Sequence, residues 1–259
     1  MTAMTNPARE RLAKGEVSLG VGLRQARTVD IAPAMKTAGY DWLFIDLEHG
    51  VFTLENASQL SLAALGAGIA PLVRVPSGQF SMGTRALDCG AWGLIIPHVD
   101  TPEQARELVQ HFKYAPEGQR SIGPASPQLN YMSAAKGAAQ FNREMTLVAM
   151  IETPEAVANA DAIAAVPGID VLLIGTNDLG FAMGLPGDMT HERIIDAYKK
   201  VIAACNKHGK VASLGGVYDD VLIPKYLQLG FKMALVGTDM LYMLNGAKAR
   251  REVLRGVAP

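Results

Sequence analysis

The chain has 259 residues, of which 49% are apolar and 19% charged, so it can bury a large core and is not compositionally disordered. Its formal net charge of −1, without a basic run or stripe, argues against a nucleic-acid-binding surface. Its apolar stretches are shorter than the roughly 20 residues of a membrane span, and we expect no secretory signal at its start. Cys89 and Cys205 are isolated from each other, which suits a protein of the reducing cytoplasm.

Eight short, nearly continuous apolar segments alternate along the chain with segments of helical period. Apolar runs of this length are typical of parallel strands that are buried on both faces. The predicted strands are 17–24, 42–48, 70–76, 92–99, 146–152, 171–178, 211–217 and 233–239. The predicted helices are 29–39, 54–67, 79–89, 102–112, 154–166, 191–208, 220–230 and 241–254.

Eight strand–helix units in series predict one α/β domain over residues 1–259, a (β/α)₈ or TIM barrel. The alternative is a doubly wound open sheet. The strand count disfavours it, and no Gly-rich phosphate-binding turn follows the first strand. One irregular insert, roughly 113–135, lies between the fourth and fifth strands, and loops of this length are usually lids or interface segments.

Two acidic residues follow neighbouring strands at the end where such barrels carry their active sites. Glu152 ends the fifth predicted strand and Asp178 ends the sixth, so they lie on neighbouring strands, which are about 4.8 Å apart. Burying both is costly unless a cation lies between them. Oxygen ligands suit Mg²⁺ or Mn²⁺, so the pair predicts a metal site. The alternative is that each residue caps the helix that follows it.

Further polar candidates end the second and third strands. Asp46 precedes His49 by three residues and is a candidate to orient its imidazole and raise its basicity, as general acid–base catalysis requires. A surface histidine is the alternative. Arg74 lies in an apolar strand, so it needs an anionic partner, either a structural carboxylate or a substrate oxygen. No lysine lies in or at the carboxyl end of a predicted strand, which disfavours a Schiff-base aldolase.

Four segments together resemble the HpcH/HpaI family of metal-dependent pyruvate aldolases. They match the family in order and spacing, and the likeness covers roughly residues 15–250. The resemblance implies a (β/α)₈ barrel of the phosphoenolpyruvate/pyruvate type. It also implies a homo-hexamer built as a trimer of dimers, with the last helix exchanged between subunits. The segments are DWLFIDLEHG (41–50), PLVRVP (71–76), MIETPEAV (150–157) and VLLIGTNDLGFAMG (171–184).

The resemblance also implies a role for each matching residue. Glu152 and Asp178 would hold a divalent ion, Mg²⁺, Mn²⁺ or Co²⁺, and Arg74 would stabilise an enolate. His49 would be the catalytic base, with Asp46 as its partner.

Three further elements have counterparts in the family. The backbone of Gly175, Thr176 and Asn177 would receive the pyruvate carboxylate. Asp88 would act near the histidine of a neighbouring subunit, and Arg120 would meet the distal group of the acceptor.

Two departures from the family affect the substrate end of the site. Met150 stands where many relatives have Gln, so one polar contact near the metal or substrate is lost. Residues 118–124 read GQRSIGP where relatives often carry a GxRG-like sequence, which concerns the choice of acceptor.

The expected activity is reversible cleavage of a 4-hydroxy-2-oxo acid into pyruvate and an aldehyde. Two alternatives stay open at this point. One is a related metal-dependent lyase that decarboxylates oxaloacetate or performs citrate-type condensation or cleavage. The other is a non-catalytic barrel that binds a 2-oxo acid.

Overall fold

A computed structural model describes residues 5–123 and 125–257. Eight parallel strands form a closed barrel in chain order, with each strand paired to the next and the first paired to the last. The closed barrel confirms the predicted (β/α)₈ class and excludes the open sheet. The strands are β1 (Ser18–Leu23), β2 (Trp42–Asp46), β3 (Ala70–Arg74), β4 (Gly93–Ile96), β5 (Thr146–Ile151), β6 (Val171–Gly175), β7 (Val211–Gly215) and β8 (Met233–Thr238).

Helices surround the barrel and join successive strands. Among those of the described chain, none combines the length and the apolar character that crossing a membrane requires. The helices are α1 (Pro7–Ala13), α2 (Ile31–Thr37), α3 (Leu54–Ala67), α4 (Phe80–Asp88), α5 (Pro102–Phe112), α6 (Ala134–Glu144), α7 (Pro154–Ala158), α8 (Ala160–Ala164), α9 (Thr176–Ala182), α10 (Glu192–Lys207), α11 (Leu222–Leu227) and α12 (Asp239–Arg255).

Several boundaries differ from the sequence-based expectation. The sixth strand ends at Gly175 rather than 178, because Thr176 already begins α9. The expected helix 154–166 is divided into α7 and α8 at Asn159. Helices α1, α6 and α9 were not expected. The start of α1 does have a sequence signal, because Asn6 accepts a hydrogen bond from the Ala8 backbone and Pro7 occupies the first helical position.

Alternation along the strands separates the barrel interior from the layer between strands and helices. The interior cluster includes Phe44, Leu72 and Met150, whereas odd-numbered neighbours such as Ile45 and Val73 pack in the outer layer. Every second side chain of a strand points to the same face of the sheet. The residue two positions after each of these interior residues therefore also lies on the interior side. The polar residues at the carboxyl end of the barrel are therefore positioned by the strand period itself.

Helix α1 lies at the opposite, amino-terminal end of the barrel. Ala8 is part of the interior cluster and Leu12 packs against it. The Asn6 side chain donates hydrogen bonds to the Glu144 backbone carbonyl and to Thr146 Oγ1, which joins α1 to the start of β5. Helix α1 therefore covers part of the amino-terminal end of the barrel.

Candidate active site

A small cavity of about 60 Å³ opens at the carboxyl ends of the strands. Its apolar floor consists of interior barrel residues, and polar side chains and glycines form its rim. The floor contains Phe44, Met150, Leu173 and Leu235. The rim contains Arg24, Arg74, Gly175, Asn177, Asp178, Gly215, Gly216 and Tyr218. We call this cavity the mouth pocket. Met150 contributes an apolar surface to it.

Arg74 is fixed at the mouth pocket by two carboxylates. Asp46 and Arg74 are directly paired in the register of β2 and β3, so their side chains emerge side by side. Arg74 donates to Asp46 through Nε (2.9 Å) and Nη2 (2.6 Å), and its Nη1 lies 3.0 Å from Glu48 Oε2. The guanidinium carbon lies 5.0 Å from the centre of the Phe44 ring. This fork geometry holds Arg74 in a single orientation.

Asp46 is fully buried and serves as the centre of this network. Its Oδ2 also accepts from Arg24 Nε (3.0 Å), and its Oδ1 accepts the backbone N–H groups of Glu48 (3.1 Å) and His49 (3.0 Å). Burial alone would raise the pKa of Asp46, but its hydrogen bonds and charge interactions with Arg74 outweigh burial and lower it. The carboxylate is therefore ionised at neutral pH.

Glu152 presents a buried carboxylate directly after β5. It is 2% exposed, and its Oε2 accepts the backbone N–H of His98 at 2.9 Å. A Cβ at Gly175 would lie only 2.6 Å from Glu152 Oε1, so the carboxylate rests against a position that only glycine leaves open. Burial is the main cause that raises the pKa of Glu152, and the negative charge of Asp178 raises it further.

Asp178 differs from Glu152 in its surroundings. It lies in the first turn of α9, is exposed and lines the mouth pocket. Among the described residues, no group of three or more His, Cys, Asp or Glu side chains is arranged to hold a metal ion. An ion at this site would therefore depend on the two acids together with water and substrate oxygens. Burial keeps the pKa of Glu152 raised although the charges of His98 and Arg74 lower it.

His49 lies beside this network, but not in the expected arrangement. Its side chain is 68% exposed, and its Nε2 lies 3.9 Å from Glu48 Oε2. Asp46 binds the backbone N–H of His49 rather than its ring. The expected pairing of Asp46 with the imidazole is therefore corrected: both Asp46 oxygens are occupied by arginines and backbone amides, and Glu48 is the carboxylate near the ring.

Arg120 and Asp88 form a pair with each other. Arg120 Nη2 donates to Asp88 Oδ1 at 2.6 Å, and the guanidinium lies 4.5 Å from the ring centres of both Tyr114 and Phe141. The Arg120 side chain is fully buried, and neither partner lines the mouth pocket. The expectation that Arg120 meets an acceptor is thus corrected for the single chain: this guanidinium packs between two aromatic rings.

The segment Gly175–Asn177 joins β6 to α9 at the rim. Gly175 and Asn177 line the mouth pocket, whereas the Thr176 hydroxyl is buried within 2.8 Å of Tyr198 Oη. Gly216, with a φ of +82°, lies opposite, and a Cβ there would come within 3.0 Å of Asn177 Nδ2. The rim is therefore narrow at this point, and backbone rather than side chain forms much of its surface.

Sequence reasoning missed two residues of this region. Arg24 follows β1 on the side of Gly20 and Gly22, opposite to the outer-layer residues Val21 and Leu23, so strand alternation alone could have identified it. His98 supplies a backbone N–H to Glu152 from a left-handed conformation with φ of 54°. No sequence pattern indicates that contact, because it depends on a loop conformation.

The site thus combines a buried acid, an exposed acid in the helix turn that follows the adjacent strand, a fixed guanidinium and a nearby imidazole. Such a set can bind an anionic oxygen ligand, hold a divalent ion between the acids and accept a proton from a hydroxyl.

Comparison with known proteins gives consistent results. A sequence model of the HpcH/HpaI aldolase/citrate lyase family matches residues 24–246. The 4-hydroxy-4-methyl-2-oxoglutarate aldolase of Hapsidospora irregularis is 39% identical over 225 residues, covering 85% of this chain and 83% of that protein. A 2-keto-3-deoxy-L-rhamnonate aldolase of Escherichia coli is 35% identical over 247 residues, covering 92% of this chain and 90% of that protein.

The fold has a similar counterpart among solved structures. The crystal structure of an HpcH/HpaI aldolase from Desulfitobacterium hafniense superposes with a TM-score of 0.88 at 29% identity, covering 97% of each chain.

Proposed function

We propose that this chain, which belongs to the HpcH/HpaI aldolase/citrate lyase family, cleaves a 4-hydroxy-2-oxo acid reversibly into pyruvate and an aldehyde with the help of a divalent metal ion. Its aldolase relatives make it a carbon–carbon lyase. The observation that carries the proposal is the buried Glu152 carboxylate, which lies against the rim residue Gly175 and interacts electrostatically with the rim residue Asp178.

Glu152 and Asp178 would hold the ion. The fit is good in chemical terms, because two carboxylates with open positions suit an oxygen-preferring ion such as Mg²⁺, Mn²⁺ or Co²⁺. Burial raises the pKa of Glu152, and a cation beside it would reverse that effect. When bound, the ion would polarise the 2-oxo acid and offset negative charge on its oxygen.

The chain's own residues would orient the substrate. We assign the carboxylate of the pyruvate part to the backbone N–H groups of Gly175, Thr176 and Asn177, where the first turn of α9 leaves amide groups without helical partners. Arg74 would face the developing enolate oxygen. Each amino group of its guanidinium has a second N–H, so it can donate there without releasing Asp46 or Glu48.

His49 is our candidate for the proton transfer. In the cleavage direction the base takes the proton of the C4 hydroxyl, the C3–C4 bond breaks, and its electrons pass to the pyruvate enolate, which is then protonated at C3. The exposed ring can reach bulk water, and its nearest carboxylate is Glu48 rather than Asp46. Asp46 would contribute indirectly, by fixing Arg74 and the backbone of His49.

Exchange of pyruvate methyl protons in deuterated water tests the proposal directly. With Mg²⁺ or Mn²⁺ we expect exchange by the wild type and its loss in Glu152→Gln, which keeps the size of the side chain but removes its charge. Glu155→Gln is the matched control, because Glu155 is an exposed glutamate in the next helix. Full activity of Glu152→Gln in the presence of a chelator would disprove the metal role of Glu152.

A second lyase activity is favoured by the family's own range, since its description covers citrate lyases as well as aldolases. Release of CO₂ from oxaloacetate, measured beside release of pyruvate from a 4-hydroxy-2-oxo acid, separates the two. Faster turnover of oxaloacetate would make decarboxylation the main activity.

We further propose a homo-hexamer in which α12 is exchanged between subunits. All residues of α12 are described, and none of them is buried. Its apolar side chains Met243 and Leu254 are 60% and 58% exposed. A helix that exposes apolar side chains in this way is suited to packing on another subunit. Light scattering of the wild type and of a chain truncated before α12 would test this, since the truncated chain should not assemble.

Asp88 also bears on assembly. It ends α4 and its side chain is 22% exposed, which leaves one edge accessible although Arg120 holds the other. We propose that any catalytic role of Asp88 is exerted on the site of a neighbouring subunit. Mixing inactive Asp88→Asn and Glu152→Gln chains would then restore part of the activity.

The expected compartment is the cytoplasm. Both cysteines are free thiols, and Cys205 is buried, which suits a reducing environment.

A further inference from the structure

Tyr218 lies between the mouth pocket and a second, larger cavity. The second cavity has a volume of about 480 Å³ and is lined by residues of β1, β8, α11 and α12, which we call the outer cavity. Its lining is mostly apolar and aromatic, with Ile223, Leu227 and Val236 among its members. Within the described chain, Tyr218 is the one residue that lines both the mouth pocket and the outer cavity. A single side chain thus separates the two spaces.

A turn after β7 directs the Tyr218 ring to the barrel interior. Val211, at the start of β7, packs against the interior cluster, so regular alternation would place residue 217 inside and residue 218 outside. The structure shows the reverse: Val217 belongs to the outer layer, and Tyr218 packs against the interior cluster. Gly216, with a φ of +82°, interrupts the alternation between them.

The Tyr218 ring lies on the side of the mouth pocket away from the proposed metal ligands. Burial raises the pKa of Tyr218, and the positive charges of Arg24 and Arg74 oppose this only in part, so the phenol is neutral at neutral pH. The charge of Asp46 acts on it as well. These three groups belong to β1, β2 and β3 or follow them directly, whereas the proposed metal ligands follow β5 and β6. The backbone of Arg24 is itself fixed, because its N–H donates to Asp239 Oδ2 at 3.0 Å.

Hydrogen bonding does not account for the Tyr218 side chain. Its hydroxyl has no hydrogen-bond partner among residues 5–123 and 125–257. The other two tyrosines of the outer cavity differ in this respect, since the hydroxyl groups of Tyr40 and Tyr242 bond to each other at 2.6 Å. The contacts of Tyr218 are therefore those of its ring, and the volume of that ring is the property that separates the two cavities.

We propose that Tyr218 limits the size of the aldehyde that the enzyme accepts, because its ring closes the mouth pocket against the outer cavity. This inference rests on the proposed aldolase function. The pyruvate part of the substrate is assigned to the rim after β6, so the aldehyde part extends toward the side where Tyr218 lies. The mouth pocket, at about 60 Å³, leaves room for a short chain only. Removal of the ring would join it to an apolar space of about 480 Å³, which can receive a longer chain.

Acceptor length is the variable that tests this role. In the aldol direction, with pyruvate and Mn²⁺, kcat/KM is compared for propanal and for hexanal, which is longer by three methylene groups. We expect the wild type to favour propanal. Tyr218→Ala should shift the ratio toward hexanal by about 10- to 100-fold, because each newly buried methylene contributes about fourfold. Tyr218→Leu, which fills part of the space, should shift the ratio less and provides the test if Tyr218→Ala does not fold.

Two further variants separate the ring from other effects. Tyr218→Phe keeps the ring and removes the hydroxyl, so its ratio should match that of the wild type. Leu227→Ala is the matched control, because Leu227 lines the outer cavity and not the mouth pocket. It enlarges the outer cavity but leaves the ring in place, and its ratio should also stay unchanged. Since both aldehydes are assayed on the same protein, a loss of folded enzyme cancels from each ratio.

The opposite results are equally clear. An unchanged ratio in the folded Tyr218→Ala or Tyr218→Leu protein would overturn the inference, and so would a shift in Tyr218→Phe as large as that in Tyr218→Ala. Exchange of pyruvate methyl protons by the wild type requires no aldehyde and separates the two levels. If exchange is absent, the proposed aldolase function fails; if exchange is present and the ratio does not move, only the inference about Tyr218 fails.

Discussion

Replacing Gly175 with Ala perturbs the proposed metal site without changing any charge. The added Cβ would lie 2.6 Å from Glu152 Oε1 and 2.8 Å from its Cγ, whereas ordinary contacts begin at 3.4 Å. The Gly175 backbone, with φ of −82°, is compatible with alanine, so the strain falls on the Glu152 side chain alone.

The size of the effect follows from these distances. The Glu152 carboxylate must retreat by most of an ångström, and moving it loosens the 2.9 Å hydrogen bond from His98. Metal sites tolerate deviations of only about 0.2 Å in ligand distance. Displaced supporting groups at metal sites typically cost about 10- to 100-fold in affinity, and we expect the dissociation constant for Mn²⁺ to rise by that factor in Gly175→Ala.

Calorimetric titration with Mn²⁺ measures this constant directly. Gly66→Ala is the control: Gly66 lies within α3, and a Cβ there meets no atom within 4 Å. This control should bind Mn²⁺ as the wild type does and gain stability of about 0.5–1 kcal/mol. If a folded Gly175→Ala chain bound Mn²⁺ as tightly as the wild type, Glu152 would not be the ligand that we propose.

Three further results are expected. Arg74→Met should lower the free energy of unfolding by about 1.5–3 kcal/mol at pH 7, because it removes the two-bond pair of buried Asp46 and leaves Arg24 as its cationic partner. The lowered pKa of Asp46 makes this contribution full above pH 3.8 and lost as the pH falls through the folded-state value, so the penalty in denaturant titrations should shrink on acidification. A pH-independent penalty would contradict the pairing. Burial raises the pKa of Cys205 to about 12, so Ellman's reagent should titrate Cys89 alone in the folded protein and both thiols after denaturation; rapid reaction of two thiols in the folded state would refute this. Arg120→Met should lower Tm with little change in the KM for the aldehyde, since this guanidinium is fully buried between two rings. A raised KM at unchanged Tm would show that Arg120 contributes to binding the aldehyde.

Strand period made much of the site predictable from the sequence. Phe44 and Met150 are interior residues, and Asp46 and Glu152 follow them by one period of two on their strands. A polar residue that continues an interior series at the carboxyl end of a barrel strand must enter the opening. The rule holds for Arg74, two residues after the interior Leu72, and applied to β1 it identifies Arg24, which follows the glycines Gly20 and Gly22.

Contacts that depend on loop conformation were not predictable in the same way. The sequence separation of Asp46 and His49 suggested a side-chain pair, yet the turn after β2 directs the backbone N–H of His49, and not its ring, to the carboxylate. The insert around 113–135 was expected to be a lid or interface, which stays a prediction, and its Arg120 pairs with Asp88 of the same chain. In both cases a local turn decided which atoms meet, and periodicity carries no information about turns.

Barrel closure explains the remaining contact that the sequence alone concealed. Arg24 and Asp239 are 215 residues apart in the chain, but β1 and β8 are neighbours once the barrel closes, with Gly22 paired to Thr238. The acid at the start of the last helix therefore fixes the loop that follows the first strand, and this loop carries the second arginine of the mouth pocket. Because α12 begins at that same acid, any subunit exchange of this helix would be coupled to the loop that holds Arg24.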